Sequence, residues 1–209
     1  MTEDNMIAAL FVLPDGPYAN RPNVDLWPES RDARQYTGPW RVVAHPPCER
    51  WGRYWFGGPS CRERKKKGYD GGCFESALES VERWGGVLEH PEATHAWNHF
   101  GIANPPKRGG WIRAGLWRLG WTCSVEQGHY GHAARKATWL YCVTKDGLAP
   151  PPLIWGKSAA TKRIDNANWR QRVRGERSCS DVPERLSKRE RTITPEPFAE
   201  LMIRLARGT

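Results

Sequence analysis

Val42-Val43-Ala44-His45-Pro46-Pro47-Cys48-Glu49-Arg50-Trp51-Gly52 decides how this chain is read, because an apolar run stops at a Pro-Pro pair and a cysteine follows at once. Two prolines forbid helix and hold the backbone extended. The thiol is therefore presented on a stiff loop at a strand end, which is how a nucleophile is displayed. Further along, Gly85-Gly86-Val87-Leu88-Glu89-His90-Pro91 repeats the design with a carboxyl group in place of the thiol. In open parallel sheets ligands sit beyond the carboxyl ends of the strands, so Cys48 and Glu89 form the first candidate pair.

Working outward, residues 6–12 read as a buried strand closed by the turn Pro14-Asp15-Gly16-Pro17, and residues 23–28 as a short extended piece. Residues 29–36 read as a short helix or turn, and the glycine-rich, basic stretch 57–72 as a mobile loop. From Cys73 to Trp84 the apolar residues Phe74, Ala77, Leu78, Val81 and Trp84 recur at helical spacing, with Glu75, Glu79 and Glu82 elsewhere. Gly85-Gly86 ends that helix and Val87-Leu88 opens a third strand. Helix followed by strand, twice over, argues for parallel α/β architecture. Past a Pro/Gly-rich span at 101–120, residues 121–125 and 138–143 supply further strands, and residues 195–207 form a closing helix with Phe198, Leu201, Met202 and Leu205 on one face.

The expected fold class is α/β: a trimmed Rossmann-like, mostly parallel sheet with flanking helices. At 209 residues the length suits one domain with a small appendage. The expected organisation is an α/β unit at 1–144, a short, polar, irregular segment at 145–182 and a closing helical part at 183–209; their roles as catalytic unit, recognition segment and returning helix are what a family resemblance implies.

Net charge is +9 and uneven: residues 1–30 carry five acidic groups and one basic, whereas residues 157–209 carry thirteen basic and seven acidic. Arg62-Glu63-Arg64-Lys65-Lys66-Lys67 adds a local excess. Concentrated positive charge favours a polyanionic partner through counterion release, and a solvated face is the plainer alternative. Twelve tryptophans, many beside glycine or proline, are suited to stacking on bases or to packing beneath loops. The six cysteines follow no signal peptide and form no close CxxC pair, so reduced thiols and a cytoplasmic chain are expected. Zinc through Cys61, Cys73, His90, His95 and His99 matches no common module, and no metal is expected.

With these residues laid out, the chain resembles the DNA cytosine-5 methyltransferases, as an abbreviated, phage-like member. His45-Pro46-Pro47-Cys48 looks like that family's Pro-Pro-Cys nucleophile loop, and Leu88-Glu89-His90-Pro91 like its Glu-Asn-Val motif, with His90 and Pro91 departing from it. The stretch from Tyr130-Gly131 through Arg135-Lys136 into a strand is similar to the family's Tyr-Gly, Gln-x-Arg-x-Arg segment, of which only Arg135 has a counterpart. Leu186-Ser187-Lys188-Arg189-Glu190 is similar to a Leu-Thr-x-Arg-Glu element. The family's Phe-x-Gly-x-Gly donor loop is reduced here to Phe11 and the single Gly16, and the usual intervening β-α units do not fit between it and the nucleophile strand.

The resemblance implies an enzyme that modifies C5 of a flipped-out cytosine with S-adenosyl-L-methionine as donor and DNA as partner, with no membrane role. Cys48 would add to C6. Glu89 would meet the N3 side of the base, held neutral for part of the cycle by burial. Arg135 would hold the base carbonyl or backbone. Arg50, Arg53 or Arg135 would lower the thiol pKa. Phe11, Asp15, Gly16, Asp25 and Pro46 would hold the donor. Arg50, Trp51, Arg53, Arg64, Lys65, Lys66, Lys67, Arg170 and Arg172 would meet DNA, with Trp51 and Trp55 supporting the extruded base. Of the histidines, His45, His90 and His132 are expected to be structural, His90 being the candidate exception because it adjoins Glu89. The rival readings are pyrimidine C5 modification with a different donor, a non-catalytic DNA-binding protein that keeps the base pocket, and a zinc-bound nucleic-acid module.

Overall fold

A computed structural model describes residues 5–57, 62–63, 65–164 and 184–208. Arg64, Arg170 and Arg172, and most of the second half of the expected recognition segment, lie outside the described residues.

Seven strands form one sheet: β1 (Ile7–Leu10), β2 (Val24–Trp27), β3 (Arg41–Ala44), β4 (Gly86–Pro91), β5 (Ile112–Arg113), β6 (Trp121–Glu126) and β7 (Ala137–Val143). Their spatial order is β2-β1-β3-β4-β7-β6-β5. The first four are mutually parallel, with Leu10 opposite both Trp27 and Ala44, and Ala44 opposite Leu88. The other three pairings, β4 with β7, β7 with β6 and β6 with β5, are antiparallel. The expectation of a mostly parallel sheet is thus corrected to a mixed one, parallel in one half and antiparallel in the other. Its physical cause lies in the connections. A parallel return needs a long crossover, whereas β5, β6 and β7 follow one another through short links that turn the chain straight back.

Helix α1 (Cys73–Trp84) packs Phe74, Ala77, Leu78 and Val81 against Leu10, Val42, Ala44 and Leu88 on one sheet face, joined there by the short α2 (His95–His99) through Trp97. The helix stops where the sequence expects: Gly85 closes it, and Gly86 carries φ +128 so close to β3 that a Cβ would stand 2.0 Å from the Val42 carbonyl oxygen. Only glycine lets β4 start there. The opposite face, with Ile7, Ala9, Val43, Val87, Cys123 and Leu140, lies under the closing helix. A five-residue helix α3 (Lys188–Thr192), started by a Ser187–Glu190 capping box, leads into that closing helix, α4 (Glu196–Arg207). Phe198, Leu201, Met202, Ile203 and Leu205 of α4 are buried. Arg41 ties the layers together, its guanidinium donating to the Ala206 carbonyl at the end of α4 and, at 2.8 Å, to that of Val143.

Residues 29–36 form two short 3-10 helices (Glu29–Arg31 and Ala33–Gln35), as the reading of a short helix or turn expects. One expectation about loops changes. The far side of the 57–72 loop is anchored: Asp70 accepts from Trp51 Nε1 at 2.8 Å and from the amides of Gly72 and Phe74, and Gly68 lies directly on the Trp51 ring. Among the described residues no helix is long and apolar enough to cross a membrane.

Candidate active site

β3 continues past its last residue, since His45 N donates to the Leu10 carbonyl at 3.1 Å before the two prolines break the ladder. Pro46 is buried, Pro47 exposed, and Cys48 opens a tight turn in which its carbonyl accepts from Trp51 N and Gly52 N. The amide of His95, at the start of α2, donates to the Trp51 carbonyl at 2.8 Å and so fastens this turn to the body of the protein. Cys48 is partly exposed.

Side chains alternate across a strand. Leu88 and His90 therefore face α1, while Glu89 faces the α4 side, as does His45, one residue beyond Ala44. The two meet: His45 Nδ1 lies 3.1 Å from Glu89 Oε2, each side chain being 13% exposed. The other face of the imidazole is held by Tyr18, whose hydroxyl is 2.8 Å from Nε2. The second oxygen of Glu89 accepts from Gln127 Nε2 at 3.2 Å, and the same amide donates to Thr138 Oγ1 at 3.0 Å. A continuous chain of contacts thus runs Tyr18, His45, Glu89, Gln127, Thr138, drawing on five segments that converge at the carboxyl ends of β1, β3, β4 and β6 and the start of β7.

Lys136 completes the cluster. It carries φ +42, a left-handed conformation unusual for lysine, and its ammonium donates to the Ile193 carbonyl at 2.9 Å. Burial lowers the Lys136 pKa, and the charges of Glu89 and Cys48 oppose that. Burial would likewise raise the Glu89 carboxyl, but the hydrogen bond and charge of His45, with the charges of Lys136 and His90, bring it below the ordinary carboxylate value. The Cys48 thiol moves the other way. Burial and then the Glu89 charge raise it, against a smaller opposing pull from Lys136. The thiol is thus raised and the carboxyl lowered, against the expectation of an arginine-lowered thiol and a carboxyl that burial holds neutral for part of the cycle.

Cys48 and Glu89 lie at the ends of neighbouring strands, with the Glu89 charge acting on the thiol; Arg135 does not join them. It is exposed, and among the described residues no hydrogen bond or ion pair joins its guanidinium to either of them, so Lys136 stands where the sequence reading placed Arg135. Trp51 is also corrected: it is 3% exposed, wedged among Phe74, His99 and Phe100, and is a core residue that cannot stack on a base. The expected exception among the histidines is reversed. His90 is fully buried against Phe74 and Trp97, its Nδ1 2.7 Å from Thr94 Oγ1, and burial takes it down to about 4. His45 is the one that touches the carboxylate. His132 is structural, its ring bonded to the backbone of Ala134.

The residues expected to hold S-adenosyl-L-methionine do not fit it. Asp25 sits mid-strand with its carboxylate bound to Arg31 Nη1 at 2.6 Å and Trp27 Nε1 at 2.7 Å. Phe11 packs on the α1 face, Asp15 is exposed, Gly16 closes a local turn, and Tyr18 fills the space by His45 between the ends of β1 and β3. Phe11, Asp15, Gly16 and Asp25, with the buried Pro46, are thus each engaged locally and form no common cradle.

Of the expected DNA contacts, Arg53, Lys65, Lys66 and Lys67 are exposed and Arg50 and Trp55 partly so. A cleft of about 710 Å3 opens beside Lys136, lined by Arg135, Lys136, Lys162 and Arg163 together with Glu126, Ser158 and Thr161. Glu126 is consumed in holding Ser158, accepting from its amide at 2.7 Å and its hydroxyl at 2.9 Å. Among the described residues no group of three or more His, Cys, Asp or Glu side chains is placed to hold a metal ion.

Tyr18, Gln127, Lys136 and Thr138 were not singled out from sequence. The available signal was positional, since each lies at or next to a strand end on the side of the sheet where Cys48 and Glu89 sit. Set against family models, curated proteins and solved structures, the chain matches none of them.

Proposed function

We propose that this protein is a DNA-modifying enzyme that activates C5 of a flipped-out cytosine through a covalent Cys48 adduct. The observation that carries the reading is the placement of Cys48 and Glu89 at the carboxyl ends of neighbouring parallel strands, where the Glu89 charge reaches the thiol and raises its proton affinity. Further support comes from the parallel half of the sheet. Strand order reverses between β1 and β3, the position at which open α/β sheets bind ligands, in keeping with a trimmed Rossmann-like core.

The chemistry follows from the protonation states. Glu89, ionised, takes the proton of the Cys48 thiol, and the sulfur adds to C6. The C5=C6 π pair shifts to C4–C5, the C4=N3 pair moves onto N3, and Glu89 returns the proton there. A thiol has added across the ring, and C5 is left as the nucleophilic carbon of an enamine. Lys136 steadies the sulfur while its proton is away. Because C6 is hidden in a stacked duplex, the base is first extruded, at a cost of a few kcal/mol. The exposed cations after Cys48 and the basic cleft beside Lys136 supply phosphate contacts.

The electrophile that the resemblance implies is S-adenosyl-L-methionine, which would supply a methyl group to C5. Because Asp25 and its companions form no cradle for it, no step is assigned to it, and that same engagement of Asp25 by Arg31 and Trp27 favours the second reading, C5 modification with a different donor.

The test is incubation of the protein with duplex DNA carrying 5-azacytosine, whose C6 adduct persists without a donor because ring nitrogen 5 takes up a proton, followed by denaturing electrophoresis and mass spectrometry. A covalent complex through Cys48, absent in Cys48→Ala, supports the reading; DNA binding without any adduct overturns it in favour of a non-catalytic DNA-binding protein. Nucleoside masses from unmodified DNA then separate methyl transfer from addition of another group.

A further inference from the structure

We propose that Tyr18 and His45 form a positioning relay: Tyr18 dictates which imidazole nitrogen of His45 carries the proton, and His45 thereby presents Glu89 to its substrate as an acceptor. The tautomer part stands on donor bookkeeping alone; its consequence for chemistry rests on the reading that Glu89 faces a pyrimidine.

Tyr18 is 2% exposed, and His45 Nε2 is the one hydrogen-bond partner of its hydroxyl among the described residues. A buried hydroxyl proton without an acceptor is costly, so the arrangement that satisfies it has O–H donating to Nε2. A neutral imidazole accepting at Nε2 carries its proton on Nδ1. That proton points at Glu89 Oε2, 3.1 Å away. The alternative has Nε2–H donating to the phenol oxygen. It strands the hydroxyl proton and sets the bare Nδ1 lone pair against a carboxylate oxygen, which is tolerable only if Glu89 is protonated. With Gln127 already donating to the other oxygen, the first arrangement pairs each of these donors with an acceptor.

The geometry also fixes the plane of the carboxyl group. His45 and Gln127 each take one lone pair on a different oxygen, leaving the remaining lone pairs for an incoming donor or for the thiol proton. No comparable pair of donors holds Cys48. The charged and titratable groups around the relay are Arg21 and Glu196 beside Tyr18, Lys136 and Cys48 near Glu89, and His90 on the opposite face of β4, whose charge acts through the sheet. None of them offers Tyr18 another acceptor at hydrogen-bond distance.

The test uses the full chain labelled with nitrogen-15 in histidine, read by long-range proton–nitrogen correlation at pH 7.5 and below. The wild type is expected to show His45 with its proton on Nδ1. Tyr18→Phe, which keeps the ring and removes only the hydroxyl, is expected to let the Nε2 tautomer appear as the pH is lowered and Glu89 takes up the proton that this tautomer requires. In the 5-azacytosine assay, the acid limb of adduct formation should then move upward by about one pH unit, since the charged form of Glu89 is no longer favoured by a fixed donor. On a His45→Gln background, which has no tautomers, Tyr18→Phe should move nothing further. A wild-type His45 protonated on Nε2, or a Tyr18→Phe protein with unchanged tautomer and profile, overturns the relay. A wild type with the Nδ1 tautomer that forms no adduct leaves the relay standing and overturns the pyrimidine reading instead.

Discussion

The Glu89 carboxylate raises the proton affinity of the Cys48 thiol, from the end of the strand next to the one that carries the cysteine. A nucleophile so placed is quiet until something withdraws that charge. Glu89→Gln is accordingly expected to lower the Cys48 pKa and to speed iodoacetamide labelling of Cys48 several-fold at pH 7.5. Peptide mapping by mass spectrometry isolates this thiol from the other cysteines. An unchanged rate would mean that the two groups do not communicate.

Lys136 acts in the opposite sense. It lowers the thiol pKa against the larger effects of burial and Glu89, so Lys136→Met is expected to raise that pKa and slow the same labelling. Arg135→Met, at an exposed position without a contact to the pair, should leave the labelling rate as it is. This comparison separates the residue that the structure places beside the site from its sequence neighbour.

His90 makes stability fall with acid. Its pKa is about 4 in the folded protein against the ordinary 6.5, so below pH 6.5 the unfolded chain takes up a proton that the folded one refuses. Stability is therefore intact above pH 6.5 and declines as pH approaches 4, by about 3 kcal/mol from this group. Urea unfolding at pH 7.5, 6 and 4.5 measures it. In His90→Gln the decline over that window should be much shallower, although the variant starts from a lower value because Thr94 loses its partner.

Trp51 gives a prediction opposite to a nucleic-acid contact. As a buried residue packed on Phe74 and Phe100 and bonded to Asp70, it should cost about 3 to 5 kcal/mol on truncation to alanine. Denaturant unfolding reads that loss. A DNA-stacking residue would instead lose DNA affinity and leave stability unchanged.

β1 to β4, β6, β7, α1 and α4 were legible because burial imposes a period on sequence, and the Gly85-Gly86 pair marked a boundary that sterics enforce; the two-residue, exposed β5 carries no such period. Cys48 and Glu89 were legible for a related reason: each follows an apolar run that has to be a buried strand. The antiparallel half was not, because residues 92–111 carry too little periodicity to show that the chain passes from β4 to the far edge of the sheet, from which β5, β6 and β7 return by short links. The choice between His45 and His90 was in principle readable from strand parity, since Glu89 and His90 must face opposite sides. Tyr18, Gln127 and Lys136 were not. Their roles depend on three loops meeting at one point, and no local pattern records where a loop ends in space. Trp51 misled because a tryptophan beside glycine looks the same from sequence whether glycine exposes it or, as with Gly68, covers it.

The position of α4 in the chain has a consequence for biosynthesis. The helix that seals the face bearing Val43, Val87 and Leu140 is the last described element to be made. Until residue 207 clears the ribosomal exit tunnel, the nascent sheet displays an oily surface with nothing to cover it, and Arg41 waits for a carbonyl that has not yet arrived. Translation leaves that face of the newborn polypeptide uncovered by its helix throughout that interval.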